Sequence, residues 1–227
     1  MKAVFITIFP NTVKSVLSEG IFRIAKEKGL FETEVINLRD YTENNHKTVD
    51  DRPFGGGPGM VLMCEPVFKA VEDALCKKNI TKRLIPSPAG RQLNHKYSEE
   101  LSKEEDILIF APHYEGYDDR IREYFNFEEV SVGPYVVSGG ELPGLVILDS
   151  AVRLIKGVLG GEESLDFESH KDGLLEYPQW TRPSDFKGMK VPEVLLSGNH
   201  KKINKWRLEQ AVEKTRKIKE LEGECYE

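Results

Sequence analysis

Apolar positions along the chain alternate between two rhythms. Residues 2–9 form a near-continuous apolar run, as expected of a strand covered on both faces. Residues 13–27 follow with helical spacing at Val13, Val16, Leu17, Ile21 and Ile24, and residues 32–37 return to a strand. A helix is predicted over 66–78, with Val67, Ala70, Val71, Ala74 and Leu75 on one face and Pro66 in its first turn. Residues 83–86, 106–111 and 130–132 read as short buried strands, and 142–155 as an apolar helix. Residues 203–221 form an amphipathic helix with Leu208, Ala211, Val212, Thr215 and Ile218 inward. Strands alternating with helices predict an α/β fold, a mostly parallel sheet with flanking helices. The polar, acidic stretch opening at Gly160 predicts a linker over 161–172, between a domain spanning 1–160 and a small, mainly helical domain at 173–227.

Composition adds boundaries. At 227 residues, 39% hydrophobic and 31% charged, the chain can bury a full core and is neither fibrous nor disordered. Its opening apolar run is too short to span a bilayer and lacks the cleavage region of a signal peptide. Cys64, Cys76 and Cys225 are odd in number and without C-x-x-C spacing, which predicts neither a disulfide framework nor a zinc site and suits a reducing cytoplasm. His46, His95, His113, His170 and His200 show no metal-ligand spacing, so no metal is assigned. The formal net charge of −6 is unevenly spread: residues 187–219 hold ten Lys or Arg against three Glu, a local +7, leaving −13 elsewhere. Such a stripe suits a phosphate backbone, or else a solvated helix face.

Ser131-Val-Gly-Pro-Tyr-Val-Val-Ser-Gly-Gly-Glu-Leu-Pro143 turns a β-rich segment into a glycine corner where a helix can begin. Without a Cβ at Gly139 and Gly140, a ligand can approach the main chain and bond its free N–H and C=O groups; the alternative is a simple strand-to-helix turn. Two further loops, Ser87-Pro-Ala-Gly-Arg91 and Pro112-His-Tyr-Glu-Gly116, also follow predicted strands, where open parallel sheets bind ligands. Together they offer backbone polar groups, an aromatic ring and a carboxylate, a set suited to a flat base with a positive centre. Neither a G-x-G-x-x-G fingerprint nor a P-loop is present. Asp50-Asp-Arg-Pro-Phe-Gly-Gly-Gly-Pro-Gly-Met60 reads as a mobile loop, either a surface turn or a mouth for an extruded base whose N–H edge Asp50 and Asp51 would accept.

Six motifs occur in order: Arg52-Pro-Phe-Gly-Gly-Gly-Pro-Gly-Met60, Ser87-Pro-Ala-Gly-Arg91, His113-Tyr-Glu-Gly116 with Asp119-Arg120, Ser138-Gly-Gly-Glu-Leu-Pro143, Tyr177-Pro-Gln-Trp-Thr-Arg-Pro183, and Pro192-Glu-Val-Leu-Leu-Ser-Gly-Asn-His200 with Trp206-Arg207. Over nearly its whole length the chain resembles the bacterial tRNA (guanine-N1)-methyltransferases that modify the guanosine immediately 3′ of the anticodon. The resemblance implies a SPOUT-class trefoil-knotted cofactor domain, a helical tRNA-binding C-terminal domain, and a homodimer with active sites between subunits. It implies S-adenosyl-L-methionine as methyl donor, held by Ser87, Pro88, Pro112, Tyr114, Glu115, Val132, Gly133, Pro134, Tyr135, Val136, Val137, Gly139 and Gly140. The anticodon stem-loop of tRNA would meet Asp50, Asp51, Gly57, Pro58, Gly59, Ser197, Asn199 and His200. Whether Mg2+ assists is left open.

The chemistry needs a base for the guanine N1 proton and a cation for charge moving to O6. By resemblance, Arg153 is the cation. Aligning Gly173-Leu-Leu-Glu-Tyr-Pro178 puts Glu168, before Ser169, where the family usually has an aspartate, with Asp166 in reserve. Pro112 stands where the family commonly has glycine, and Pro134 where it commonly has an acid. The competing readings are another SPOUT-class RNA methyltransferase, which would lack the 52–60 and 197–207 segments, and a non-catalytic nucleotide-binding module with a basic RNA-binding tail.

Overall fold

The computed structural model describes residues 1–77, 80–160, 169 and 173–224. The chain divides into two compact units, Met1–Glu162 and Glu163–Glu227.

In the first unit five strands form a wholly parallel sheet: β1 (Lys2–Thr7), β2 (Glu32–Asn37), β5 (Lys82–Gln92), β6 (Asp106–Phe110) and β7 (Glu128–Ser131), in the order β2-β1-β6-β5-β7. Period-two alternation sends successive side chains to opposite faces. Ala3 and Phe5 of β1, with Ile107 and Ile109 of β6, enter one buried cluster; Val4, Ile6, Leu108 and Phe110 enter the other. Burial on both faces explains the unbroken apolar run that predicts β1. Helices α1 (Pro10–Leu17), α2 (Gly20–Glu27), α4 (His95–Ser102) and α6 (Glu141–Val152) cover the first face, and α3 (Cys64–Lys77) and α5 (Arg120–Phe125) the second. A hairpin of β3 (Asp50–Asp51) and β4 (Val61–Leu62) stands outside the sheet.

Two local expectations change. The single helix expected over 13–27 is broken into α1 and α2, because Gly20 takes φ +54°, a left-handed value that glycine adopts without cost. The loop expected at 87–91 lies inside β5: Pro86 and Arg91 both stand opposite Val130 of β7, so the four residues between them bulge outward. Pro86 and Pro88 donate no backbone hydrogen bond, and the ladder is interrupted there.

The second unit holds a hairpin, β8 (Asp185–Phe186) with β9 (Met189–Lys190), a short helix α7 (Glu193–Leu196) and the long helix α8 (His200–Glu224). Ile203, Ala211 and Thr215 are the buried positions of α8. Leu208, Val212 and Ile218, expected inward, are exposed, since the buried stripe is one position wide and runs through Ala211 and Thr215.

Candidate active site

The segments that follow two strands, β6 and β7, together with the bulge of β5 between them, line an open cleft of about 230 Å³. Ser87 and Pro88 come from the bulge of β5; Pro112, Tyr114 and Glu115 follow β6; Val132, Gly133, Tyr135, Val136, Val137, Gly139 and Gly140 follow β7. Pro134 lies in the same segment but does not line the cleft, whereas His113 and Ser138 do, and neither carries a sequence signal beyond its place in a motif.

The path of the glycine corner is set by chain-to-chain contact. The Gly140 N–H donates to the Pro112 carbonyl at 2.7 Å, and Gly139 forms an antiparallel bridge with His113. A Cβ on Gly140 would meet Pro112 Cδ at 2.6 Å, and one on Gly139 would run into His113 Nδ1. Both glycines therefore permit the crossing of the corner over the end of β6, and both also line the cleft. Slightly earlier in the chain, among the described residues nothing bonds the N–H groups of Val136 and Val137, and Val136 is 82% exposed. Opposite them Tyr114 is held at φ +60°, in the left-handed region that costs a non-glycine residue energy.

Below the corner sits a buried carboxylate. Glu141, 5% exposed, is the first residue of α6, where the partial positive charge of the helix end favours an anion. Its Oε1 accepts a 2.7 Å bond from Thr7 Oγ1, which in turn accepts from the Phe9 N–H at 2.8 Å. Its Oε2 lies 3.6 Å from His113 Nδ1, a buried nitrogen with no hydrogen-bond partner among the described residues. The network ties the ends of β1 and β6 to the start of α6, directly beside the cleft.

The hairpin loop is anchored to the same wall. Glu115 N–H donates to Met60 O at 3.0 Å, Leu62 N–H to Gly116 O at 3.0 Å, and Asp118 N–H to Leu62 O at 3.0 Å. Gly59 abuts the Glu115 side chain, and Gly57, Pro58 and Gly59 are exposed. Asp50 and Asp51 sit in β3, with Asp51 Oδ1 accepting from the Arg52 N–H at 2.7 Å. The loop expected to be mobile is thus fixed at both ends, one end against a cleft residue. Nearby, the Arg120 guanidinium holds the Asp118 carboxyl well below the ordinary carboxylate range, while burial and a hydrogen bond to Asp118 push the Cys64 thiol up to about 11.

Arg153 follows α6 as its half-buried C-cap. One turn earlier, burial raises the Asp149 carboxyl and the Arg153 charge opposes that rise. Glu168 and Asp166 lie outside the described residues; neighbouring Ser169 accepts from the Glu176 N–H at 2.9 Å. In the second unit Ser197, Asn199 and His200 are exposed at the entry to α8, where Asn199 Oδ1 accepts from the Lys202 N–H at 3.2 Å and so caps the helix. Among the described residues no cluster of three or more His, Cys, Asp or Glu could hold a metal ion, and no helix is long and apolar enough to cross a membrane.

A parallel sheet with a cleft of exposed backbone, an aromatic ring and a carboxylate beyond β6 and β7 and at the bulge of β5 defines an α/β domain of the kind that holds a flat heterocyclic ligand. The family described as tRNA (Guanine-1)-methyltransferase TrmD matches residues 1–221, and the chain belongs to that family. It is 50% identical over 216 residues to the tRNA (guanine-N(1)-)-methyltransferase of Bacillus subtilis (strain 168), covering 95% of this chain and 89% of the relative. The enzyme of the same name from Ruminiclostridium cellulolyticum is 48% identical over 219 residues, covering 95% and 93%.

Proposed function

We propose that this protein transfers a methyl group from S-adenosylmethionine to N1 of the guanosine immediately 3′ of the anticodon in tRNA. The observation that carries the reading is the cleft beyond β6 and β7 and at the bulge of β5, in a chain about half identical to relatives named tRNA (guanine-N(1)-)-methyltransferase. The cleft suits the cofactor: Val136 and Val137 offer unbonded backbone N–H groups for an adenine edge, and Tyr114 and Glu115 add an aromatic face and a negative charge on the opposite wall. When bound, the cofactor supplies an electrophilic methyl group on a cationic sulfur. Ser87, Pro88, Pro112, Val132, Gly133 and Tyr135 complete the walls.

On the nucleic-acid side the 52–60 loop, fastened to Glu115 through Met60, admits the target base, with Asp50 and Asp51 accepting from its N–H edge. Glu168 takes the N1 proton, and Arg153 stabilises the charge that moves toward O6. Residues 173–227 dock the anticodon stem-loop, using Ser197, Asn199, His200 and the basic start of α8. The protein acts as a cytoplasmic homodimer. Support for pairing comes from the exposed apolar side chains of Tyr135, Val136, Leu142 and Val146, which stand beside the cleft on the glycine corner and α6.

Single-turnover methylation of an unmodified tRNA transcript tests the assignment of the base. Glu168→Gln is expected to reduce the rate severely while tRNA and cofactor affinities are kept, and Asp166→Asn to stay active. The opposite pattern moves the base to Asp166.

A further inference from the structure

The Tyr177–Pro183 motif has no part in the site above, yet it forms one wall of a second cleft. This open cleft, of about 410 Å³, lies within the C-terminal unit. Tyr177, Trp180 and Arg182 line it from the motif, and Ile203, Trp206 and Arg207 from α8. Trp180 is 47% exposed, a large apolar surface for a side chain that usually buries itself. The Arg207 guanidinium stacks 4.7 Å from the centre of the Tyr177 ring, and its Nε is buried without a hydrogen-bond partner among the described residues.

Charge selects the occupant. Further along α8 the cations are engaged by its own acids: Lys205 with Glu209, Arg216 with Glu213 and Glu220, Lys217 with Glu213. Lys201 and Lys202, next to Ile203 of the cleft, have no acidic partner among the described residues, and neither has Arg182. An exposed indole and a stacked guanidinium, with Arg182 on the same lining and without an acidic partner among the described residues, match a single-stranded nucleotide, whose base offers a π-face and whose phosphate offers a negative charge. An apolar peptide would leave the cations unanswered.

We infer that this cleft holds one unstacked nucleotide of the bound RNA, its base against Trp180 and its phosphate against Arg182. The inference rests on the tRNA reading above and adds a second base-holding site, distinct from the cleft where methylation takes place.

Fluorescence anisotropy with a labelled anticodon stem-loop RNA tests it. Trp180→Ala should weaken binding by about 5- to 150-fold, the usual loss for one base–aromatic stack, and Trp180→Phe should restore most of it. Arg182→Gln should lower the slope of log affinity against log salt by about one phosphate contact. S-adenosylmethionine affinity and the melting curve should be unchanged in all three. Hairpin affinity within twofold of the parent in folded Trp180→Ala, or a change of oligomeric state in its place, would overturn the inference and assign the cleft to contact between copies. Methylation is scored separately. A parent that methylates while Trp180→Ala binds normally removes only this cleft, and a parent that binds through Trp180 without methylating removes only the catalytic reading.

Discussion

The backbone N–H of Gly140 donates to the carbonyl of Pro112 at 2.7 Å, and the two residues are so close that a Cβ on Gly140 would strike the proline ring. This contact holds the corner after β7 against the end of β6 and thereby closes one side of the cleft. It also gives Pro112 a packing role that needs no N–H of its own.

Gly140→Ala is therefore expected to act on the fold first. Overpacking of this kind costs about 1–3 kcal/mol, a drop in Tm on the order of 2–12 °C for a chain of this size. Calorimetry should show S-adenosylmethionine affinity falling together with Tm. A Gly140→Ala protein that melts like the parent and loses only affinity would mean that the glycine serves the ligand directly.

Thr7 and Glu141 form the other support of the cleft. Thr7→Val keeps the shape but removes the hydroxyl that donates to Glu141 and accepts from Phe9, leaving two buried polar groups short of a partner. The expected loss is about 1–3 kcal/mol in urea unfolding. Denaturation midpoints that match the parent would show that water replaces the hydroxyl.

Cys64 and Asp118 offer a test by reactivity. With its thiol pushed up to about 11, Cys64 should alkylate slowly at pH 8, while exposed Cys76 reacts first. Asp118→Asn removes a negative charge and weakens the hydrogen bond that favours the protonated thiol, so Cys64 should react faster. Because Arg120 depresses the Asp118 pKa, the contribution of this pair to stability is intact above about pH 4 and is lost as pH falls through the native value. Asp118→Asn should flatten that acid limb. Peptide mapping that finds Cys64 as reactive as Cys76 in the parent would contradict the assignment.

The basic stripe divides into two parts with different expected effects. Lys201→Gln with Lys202→Gln should weaken tRNA binding and flatten its salt dependence, by a slope of roughly 0.7–0.9 per lost phosphate contact. Lys217→Gln, whose cation already faces Glu213, should change the slope little. Equal slopes in both variants would make the whole stripe a solvated face.

Much of the sheet is legible in the sequence because burial on both faces leaves an unmistakable mark: the runs around Phe5 and Ile109 are apolar without alternation. The loops after β6 and β7 are legible for the same reason, since they follow such runs. What is lost is whatever depends on partners distant in the chain. Glu141 reads as an ordinary first-turn acid until Thr7 and His113 arrive beside it from β1 and β6. The bulge in β5 is hidden because nothing in Ser87-Pro88 tells that the strand resumes at Arg91. Leu208 and Val212 read as inward because helical periodicity gives a face but not the width of what covers it. The 52–60 loop reads as mobile because its anchors, Glu115 and Gly116, lie more than fifty residues on.

The central claim is a methyl transfer that depends on one base. Two tRNA transcripts identical except for guanosine or adenosine immediately 3′ of the anticodon, each incubated with the full-length protein and radiolabelled S-adenosylmethionine, test it most directly. The expected result is label in the guanosine transcript alone, recovered as N1-methylguanosine from that position. Equal labelling of the two transcripts, or label mapped to any other nucleotide, would contradict it.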